Sequence, residues 1–305
     1  MEWNRVWWEE FGAGKRLFTL TFIEGEPVAL ASFTVDDTER GRRLRFLGGD
    51  DLTDYLGPLI ARRELQQPVA AAMLDFLKDL DGWDYFDAKC LPVPFGFAEW
   101  LVAGADQLAL PYELELQDMT AVLALPDSFD DYCDSLAPKK RHELRRKIRR
   151  FEREAPGAAY RRSDDFRLDA DIKTFVDLHR GSEGLKGKFM VAERATFFTR
   201  VAKQMQPAGI LSLDFLEIDG KVAASTFSFE FNGVFYLYNS AYDHSLKAIS
   251  PGLMLVVHLI RRSIEANMTK FDFLRGQERY KFDLGAEPLP LHEVLMHKRT
   301  SAART

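Results

Sequence analysis

The chain has 305 residues, 46% of them hydrophobic, and a formal net charge of −6 at pH 7. This length allows one large or two ordinary domains with proper cores, and the acidic balance excludes a protein built throughout to bind polyanions. Two cysteines, Cys90 and Cys133, exclude a disulfide framework or a cysteine metal cluster and suit a reducing compartment. No apolar run is long enough to span a membrane and the N-terminus has no signal-peptide layout, so a cytoplasmic location is expected.

The first half predicts a hairpin, a third strand, a helix and a short strand. An aromatic helical face over 3–11 precedes them. The hairpin strands, 16–23 and 28–35, flank the turn Glu24-Gly25-Glu26-Pro27. The remaining elements are a strand over 44–47, a helix over 64–80 and a strand over 85–90.

A basic helix follows in the middle of the chain. Residues 130–136 begin a helix, Pro138 interrupts it, and residues 139–153 read KKRHELRRKIRRFER. Leu144, Ile148 and Phe151 form one apolar stripe on which this helix can dock. Its charges fit three alternatives: a solvent-exposed face, contact with an anionic donor or acceptor, or binding of a nucleic acid. A nucleic acid is the least favoured partner because no aromatic residues interleave to stack on bases.

The segment 180–190 (RGSEGLKGKFM) is rich in glycine and polar residues. Two interpretations are open: a plain connector, or a mobile loop that closes over substrate as lids do in transferases. A helix over 192–206 follows.

The second half repeats the order of the first. Strands over 211–218 and 222–231 flank Asp219-Gly220-Lys221, and a strand over 234–242, a helix and a strand over 271–274 complete the set. The segment Ile218-Asp219-Gly220-Lys221-Val222-Ala223 echoes Ile23-Glu24-Gly25-Glu26-Pro27-Val28-Ala29. This internal repeat predicts two tandem copies of one α/β unit, over 1–125 and 126–305.

The join between strand 234–242 and the next helix is the strongest candidate for chemistry. The polar loop 244–250 ends at Pro251-Gly252, where a proline suits the first position of a helix. The free N–H groups of a helix start bind phosphate, although an ordinary capped helix fits the same pattern. Gly252 would let a ligand approach the backbone, Ser250 would donate or cap, and Lys247 would add positive charge. The corresponding place in the first copy reads Gln66-Gln67-Pro68, so the donor site is assigned to the second copy.

Strand, phosphate loop, helix and strand in this order resemble the acyl-CoA-binding core of the GNAT acyltransferase superfamily. Its loop reads (Gln/Arg)-x-x-Gly-x-(Gly/Ala); Lys247 takes the basic position, Ser250 the first glycine and Gly252 the second, so the first two positions depart from the pattern. A closer resemblance is to the CelD/BcsL-like branch, found near cellulose and exopolysaccharide genes. The motifs that carry it are Ser-Pro-Gly at 250–252, Phe-Asp-Phe-Leu-Arg-Gly at 271–276 and Tyr-Lys at 280–281.

The resemblance implies an α/β fold of two tandem GNAT-like domains, each a mixed, mostly antiparallel sheet flanked by helices. The first would have a degenerate donor site and help to shape the acceptor cleft. It also implies acyl-CoA as donor, acetyl-CoA above all, no metal, and an amine or hydroxyl acceptor on a cell-envelope or polysaccharide precursor. Because this branch is related to the tandem-GNAT Fem transferases, an aminoacyl-tRNA-dependent peptidyl transferase is the second hypothesis. A non-catalytic CoA- or glycan-binding module is the third.

Site residues follow from the same resemblance. A backbone N–H of strand 234–242 would stabilise the oxyanion, Tyr280 would protonate the thiolate, and Lys281 would balance the oxyanion or an acceptor phosphate. Asp272 is the third catalytic candidate, with a structural hydrogen bond as the alternative. The predicted donor contacts are Lys247, Ile249, Ser250, Pro251, Gly252 and Leu253. The predicted substrate contacts are Lys139, Arg145, Arg149, Tyr238, Arg275 and Glu278. Scattered histidines and the absence of His-Glu-x-x-His or Cys-x-x-Cys spacing predict no metal site.

Overall fold

The computed structural model describes residues 2–182 and 188–298. The chain forms two compact units, one that combines 3–120 with 289–298 and one of Ala121–Pro288. The sequence predicted one boundary, between residues 125 and 126. In the structure the chain crosses to the second unit after Thr120 and returns to the first unit after Pro288. Residues 183–187, at the centre of the predicted lid, lie outside the described part of the chain.

Unit 1 has three helices against a mixed sheet. The elements are α1 (Glu2–Phe11), β1 (Arg16–Glu24), β2 (Glu26–Thr38), β3 (Gly41–Phe46), β4 (Leu59–Ile60), α2 (Gln66–Asp79), β5 (Tyr85–Pro92), α3 (Phe97–Leu108), most of β6 (Tyr112–Ala124) and most of β12 (Glu287–His297). The strand order is β1-β2-β3-β5-β12-β6, with β4 beside β2. The pairs β1–β2, β2–β3, β2–β4 and β5–β12 are antiparallel, whereas β3 and β5 are parallel. Phe33, Phe46 and Phe86 lie in its core.

Unit 2 has helices on both faces of its sheet. The elements are the end of β6, α4 (Phe129–Ser135), α5 (Pro138–Glu154), β7 (Ala158–Arg162), α6 (Leu168–Arg180), α7 (Ala192–Met205), β8 (Leu211–Ile218), β9 (Lys221–Phe231), β10 (Val234–Tyr242), α8 (Pro251–Glu265), β11 (Lys270–Arg275) and α9 (Arg279–Asp283). The strand order is β6-β11-β10-β9-β8-β7, antiparallel from β10 to β7 and parallel between β10 and β11.

The core of unit 2 explains why its basic helix docks. Leu144 and Phe151 of α5 are buried, Ile148 packs beside them, and the same cluster includes Leu255 and Ile260 of α8. The predicted apolar stripe is therefore confirmed, and the charges of α5 occupy its remaining faces. On the opposite face of the sheet, aromatic rings of α6 and α7 pack against β9.

Several elements were absent from the sequence prediction: α3, β6, β7, α6 and β12. The loop predicted over 244–250 contains a 3-10 helix, His244–Ile249. The strands and helices that the sequence predicted are otherwise found within a few residues of their expected bounds. In the described ranges, no helix combines the length and apolarity needed to cross a bilayer.

Candidate active site

The start of α8 is a sharp turn rather than a side-chain cap. Ser250 adopts a left-handed conformation with φ 55°, its N–H donates to the carbonyl oxygen of Lys247 at 3.2 Å, and its side chain does not cap the helix. Pro251 takes the first helical position, as predicted. The N–H groups that follow, of Gly252 and Leu253, have no partner within a helix by geometry. The turn therefore directs backbone donors outward, and Lys247 beside it is exposed.

Gly252 lies close to a side chain of this protein, whereas the sequence predicted that a ligand would approach its backbone. A Cβ atom built at this position would lie 3.1 Å from Cδ1 of Tyr242 and 3.4 Å from its Cγ. The Tyr242 ring stacks on His244, with 4.5 Å between the ring centroids. Tyr242, at the end of β10, thus occupies the side of Gly252 on which a side chain would lie.

We expect Gly252→Ala to be less favourable for stability, by about 1 kcal/mol or more, in the wild type than in a Tyr242→Ala background, because the ring that the new methyl group meets is then gone. Urea denaturation of the four proteins of this cycle gives both costs. An equal cost of Gly252→Ala in both backgrounds would show that Tyr242 is not the constraint.

The strands before and after α8 separate at their carboxyl ends. β10 and β11 pair over only three residues, Val234–Tyr236 with Lys270–Asp272, although both strands continue beyond them. The pairing of β10 with β9 shifts between Leu237 and Asn239, which leaves Tyr238 in a bulge. Bulges bend a strand and leave its backbone groups out of the ladder. An opening between β10 and β11 follows, with backbone donors of β10 along one side.

A buried histidine fixes the bulge. Nε2 of His179, which is 1% exposed at the end of α6, lies 3.0 Å from Oδ1 of Asn239. The same oxygen accepts from the N–H of Ser240 at 2.9 Å. His179 was not among the site residues predicted from the sequence. Its spacing from Ile172, Phe175 and Val176, the inward face of α6, was the available signal. The neighbouring Tyr238, a predicted substrate contact, packs 5.5 Å from the Phe198 ring.

Asp272 is 6% exposed, and its Oδ1 accepts from the N–H of Leu274 at 2.8 Å. That hydrogen bond supports a left-handed residue, since Leu274 has φ 57°. Burial, reinforced by the Asp272 charge, raises the pKa of Tyr236 on the adjacent strand. The geometry therefore matches the structural alternative for Asp272, and its catalytic role stays a prediction.

The ammonium group of Lys281 is enclosed by the end of β11 and the turn that follows it. Its side chain is 4% exposed, and Nζ donates to the carbonyl oxygens of Arg275 and Gly276 at 2.8 and 3.2 Å. Nζ also lies 3.4 Å from the carbonyl oxygen of Leu274 and 2.9 Å from Oε2 of Glu278. These partners use all the donors of the ammonium group, so Lys281 and the predicted substrate contacts Arg275 and Glu278 form one structural turn.

A pocket of about 240 Å³ lies within unit 2 between α5, the start of α8 and α9. Leu253 of the predicted donor loop and Tyr280 line it, together with Lys139. Burial raises the pKa of Tyr280 above its ordinary value, so its phenol stays protonated at neutral pH. The other two predicted contacts from the basic helix lie elsewhere. Arg145 pairs with Asp134 at 3.3 Å, and Arg149 is exposed, so Lys139, Arg145 and Arg149 do not converge.

Within the described ranges, no group of three or more His, Cys, Asp and Glu side chains is arranged to hold a metal ion. Ile249 and Pro251 of the predicted donor loop are partly buried and buried, so they shape the turn more than they offer contacts. The described site therefore consists of a helix start, a strand opening and a pocket lined with lysines.

Comparison with known proteins agrees with this geometry. Residues 138–282 match the family model of the acetyltransferase (GNAT) domain. The crystal structure of FemX is similar with a TM-score of 0.66 at 12% identity, covering 95% of this chain and 90% of that chain. A conserved protein of unknown function from Bacteroides thetaiotaomicron VPI-5482 is similar with a TM-score of 0.57 at 12% identity, covering 97% of this chain and 90% of that chain.

A search of curated proteins finds no match. At these identities the structural likenesses show the fold, and the family model supplies the activity class. The opening between β10 and β11 and the helix start after β10 both fall inside the matched range. Residues 138–282, just under half of the chain, match this acetyltransferase domain, and the match indicates that the chain is an acyltransferase.

Proposed function

We propose that this chain transfers an acyl group from acyl-CoA, with acetyl-CoA as the favoured donor, to an amine or a hydroxyl group. The observation that carries the proposal is the separation of β10 from β11 beyond Tyr236 and Asp272, next to the start of α8. An opening between two parallel strands admits an extended chain such as pantetheine, and the helix start beside it suits a diphosphate. The residues present fit such a donor, because Lys247 is exposed there and Lys139 lines the adjacent pocket.

The chemistry assigned to this site is direct attack of the acceptor on the thioester. Backbone N–H groups of β10 beyond Tyr236 would stabilise the oxyanion, since donors fixed in advance lose no energy to reorganisation. The bond between His179 and Asn239 would keep that part of β10 in position. The acceptor loses one proton on attack, and the thiolate takes up one on release. The sequence predicts Tyr280 as the source of the second proton, but its place among the lysines suits a hydrogen bond to a donor phosphate instead.

The acceptor is proposed from the sequence motifs alone. The Ser-Pro-Gly, Phe-Asp-Phe-Leu-Arg-Gly and Tyr-Lys motifs resemble the CelD/BcsL-like branch, which supports a cell-envelope or polysaccharide precursor and a cytoplasmic location. Arg145 and Arg149, outside the pocket, stay candidates for contact with that acceptor. The likeness to FemX and the basic face of α5 favour one other donor, an aminoacyl-tRNA.

Titration calorimetry with acetyl-CoA, followed by release of free CoA in the presence of amine and hydroxyl acceptors, tests the proposal. Both cysteines are buried, so a thiol reagent reports released CoA with little background from the folded protein. We expect saturable binding of acetyl-CoA and CoA release that depends on an acceptor. Tight, strongly salt-dependent binding of tRNA without binding of acetyl-CoA would favour the aminoacyl-tRNA hypothesis and refute the proposed donor.

A further inference from the structure

The pocket between α5, α8 and α9 is more basic than the chain around it. Six charged residues line it: Lys139, Lys140, Glu143, Lys147, Arg279 and Asp283. Four of these are cations, whereas the whole chain has a net charge of −6. Three of the cations come from one flank of α5. Three of the nine Lys and Arg side chains of α5 thus line this pocket, on the side facing α8 and α9.

Partners already satisfy the two acids. The carboxylate of Glu143 accepts two hydrogen bonds from Arg146, at 2.7 and 2.8 Å, and they hold the pKa of Glu143 below its ordinary value. Arg146 is not part of the lining, so it cancels the charge of Glu143 from outside. Asp283 pairs with Arg279 at 3.5 Å. The lysines are left as the uncompensated charges of the pocket.

Of the three lysines, Lys140 uses a hydrogen-bond donor within the protein, whereas the ammonium groups of Lys139 and Lys147 remain available. Lys140 donates to the carbonyl oxygen of Phe282 at 2.7 Å. Lys139 and Lys147 make no hydrogen bond or ion pair with any residue in 2–182 or 188–298, apart from the longer-range influence of Lys147 on Glu143. Ammonium groups around a concave site bind phosphate as point charges. Two such groups flanking one pocket provide what a phosphate monoester needs.

The position and size of the pocket limit which phosphate it takes. Leu253 lines it and belongs to the first turn of α8, so the pocket begins where the helix start offers its N–H groups. A volume of about 240 Å³ is too small for a whole CoA molecule and suits one charged group with part of its sugar. Since the helix start suits the diphosphate, the lysines are available to a second phosphate on the same nucleotide.

We propose that the pocket binds the ribose 3′-phosphate of the CoA donor, an inference that rests on the proposed function. The pocket then selects acyl donors by their nucleotide end. It favours CoA thioesters over donors without this group, such as dephospho-CoA thioesters or phosphopantetheine carried by a protein. It also gives the basic face of α5 a role in donor recognition, in addition to the acceptor contacts predicted from the sequence.

The test compares CoA with 3′-dephospho-CoA by titration calorimetry, for the wild type and for Lys139→Ala/Lys147→Ala. We expect the wild type to bind CoA about tenfold more tightly, and the variant to lose most of that preference through weaker binding of CoA alone. Raising the salt concentration should reduce the wild-type preference, because Lys139 is exposed and Lys147 is partly exposed. The variant should fold normally, since it removes no contact of the core.

Lys173→Ala/Lys270→Ala is the matched control, because it removes the same charge at two exposed positions of unit 2 outside the pocket. It should keep the preference for CoA. Equal wild-type affinity for the two nucleotides, or an equal loss of preference in the control, would overturn the 3′-phosphate site while leaving acyl-CoA as the donor. A wild type that binds neither nucleotide would overturn the proposed function itself.

Discussion

Replacing Lys281 with methionine should lower the free energy of unfolding of unit 2 by about 3 kcal/mol. The side chain is buried, and its ammonium group serves the carbonyl oxygens of Leu274, Arg275 and Gly276 at the end of β11. Methionine fills similar space but donates nothing. Each buried acceptor left unsatisfied costs about 1–3 kcal/mol, and the outer carbonyls recover part of this by contact with water. We expect a lower urea midpoint and weaker donor binding, since β11 borders the strand opening.

Arg279→Met is the matched control for the change in stability, although not for donor binding, because Arg279 lines the lysine pocket. Arg279 lies two residues away in α9 with a side chain 91% exposed, and it pairs with Asp283 at 3.5 Å. Its removal should change stability by less than about 1 kcal/mol. The experiment also decides between the two roles of Lys281. A Lys281→Met protein that keeps its stability but loses kcat would restore the catalytic role predicted from the sequence.

Replacing Arg262 with leucine should cost about 3–5 kcal/mol, because it leaves a buried carboxylate without its main partner. Arg262 reaches from α8 to the sheet, where it ion-pairs with Asp214, a side chain 2% exposed. Nη2 of Arg262 also donates to Oγ of Ser212 at 2.8 Å and to Oε1 of Glu230 at 3.0 Å. This cluster anchors α8 on β8 and β9. Its loss should therefore lower the melting temperature and weaken donor binding at the other end of the helix.

The neighbouring Arg261→Leu is the control for position and charge. Arg261 is exposed, and its guanidinium lies 4.2 Å from the Phe129 ring centroid, a contact worth about 0.5–1 kcal/mol. If Arg262→Leu does not fold, the double variant Asp214→Leu/Arg262→Leu keeps the idea testable. Removing both charges should recover much of the stability, since no uncompensated carboxylate remains. A double variant no more stable than Arg262→Leu would contradict this account.

Local patterns in the sequence were sufficient to predict the strands and helices around the site. The aromatic and β-branched run of β10, Pro251 at the first helical position and the apolar spacing of α8 each act over a few residues. Such signals do not depend on distant parts of the chain. The same holds for the apolar stripe of α5, which the structure confirmed. The five-residue β7 has no alternation of buried and exposed residues, so it carried no comparable signal.

The roles of individual side chains needed contacts between segments far apart in sequence. The sequence placed Lys139 on a basic helix, but only the packing of α5 beside α8 and α9 decided that Lys139 and Lys147 border a pocket. The sequence of a basic helix does not show which of its charged flanks will border a pocket. The neighbouring elements determine that. His179 likewise meets Asn239 only through the packing of α6 on the sheet.

The sequence by itself determined the α/β character, the repeated hairpin–strand–helix–strand order and the position of the turn that begins α8, because each depends on hydrophobic period and turn chemistry. The tertiary structure decided that Gly252 faces Tyr242, that Lys281 binds carbonyl groups, and that the last strand returns to unit 1. These features depend on where a side chain is buried and which acceptors it finds there. Burial and partners are properties of the packed chain, and no local pattern specifies them.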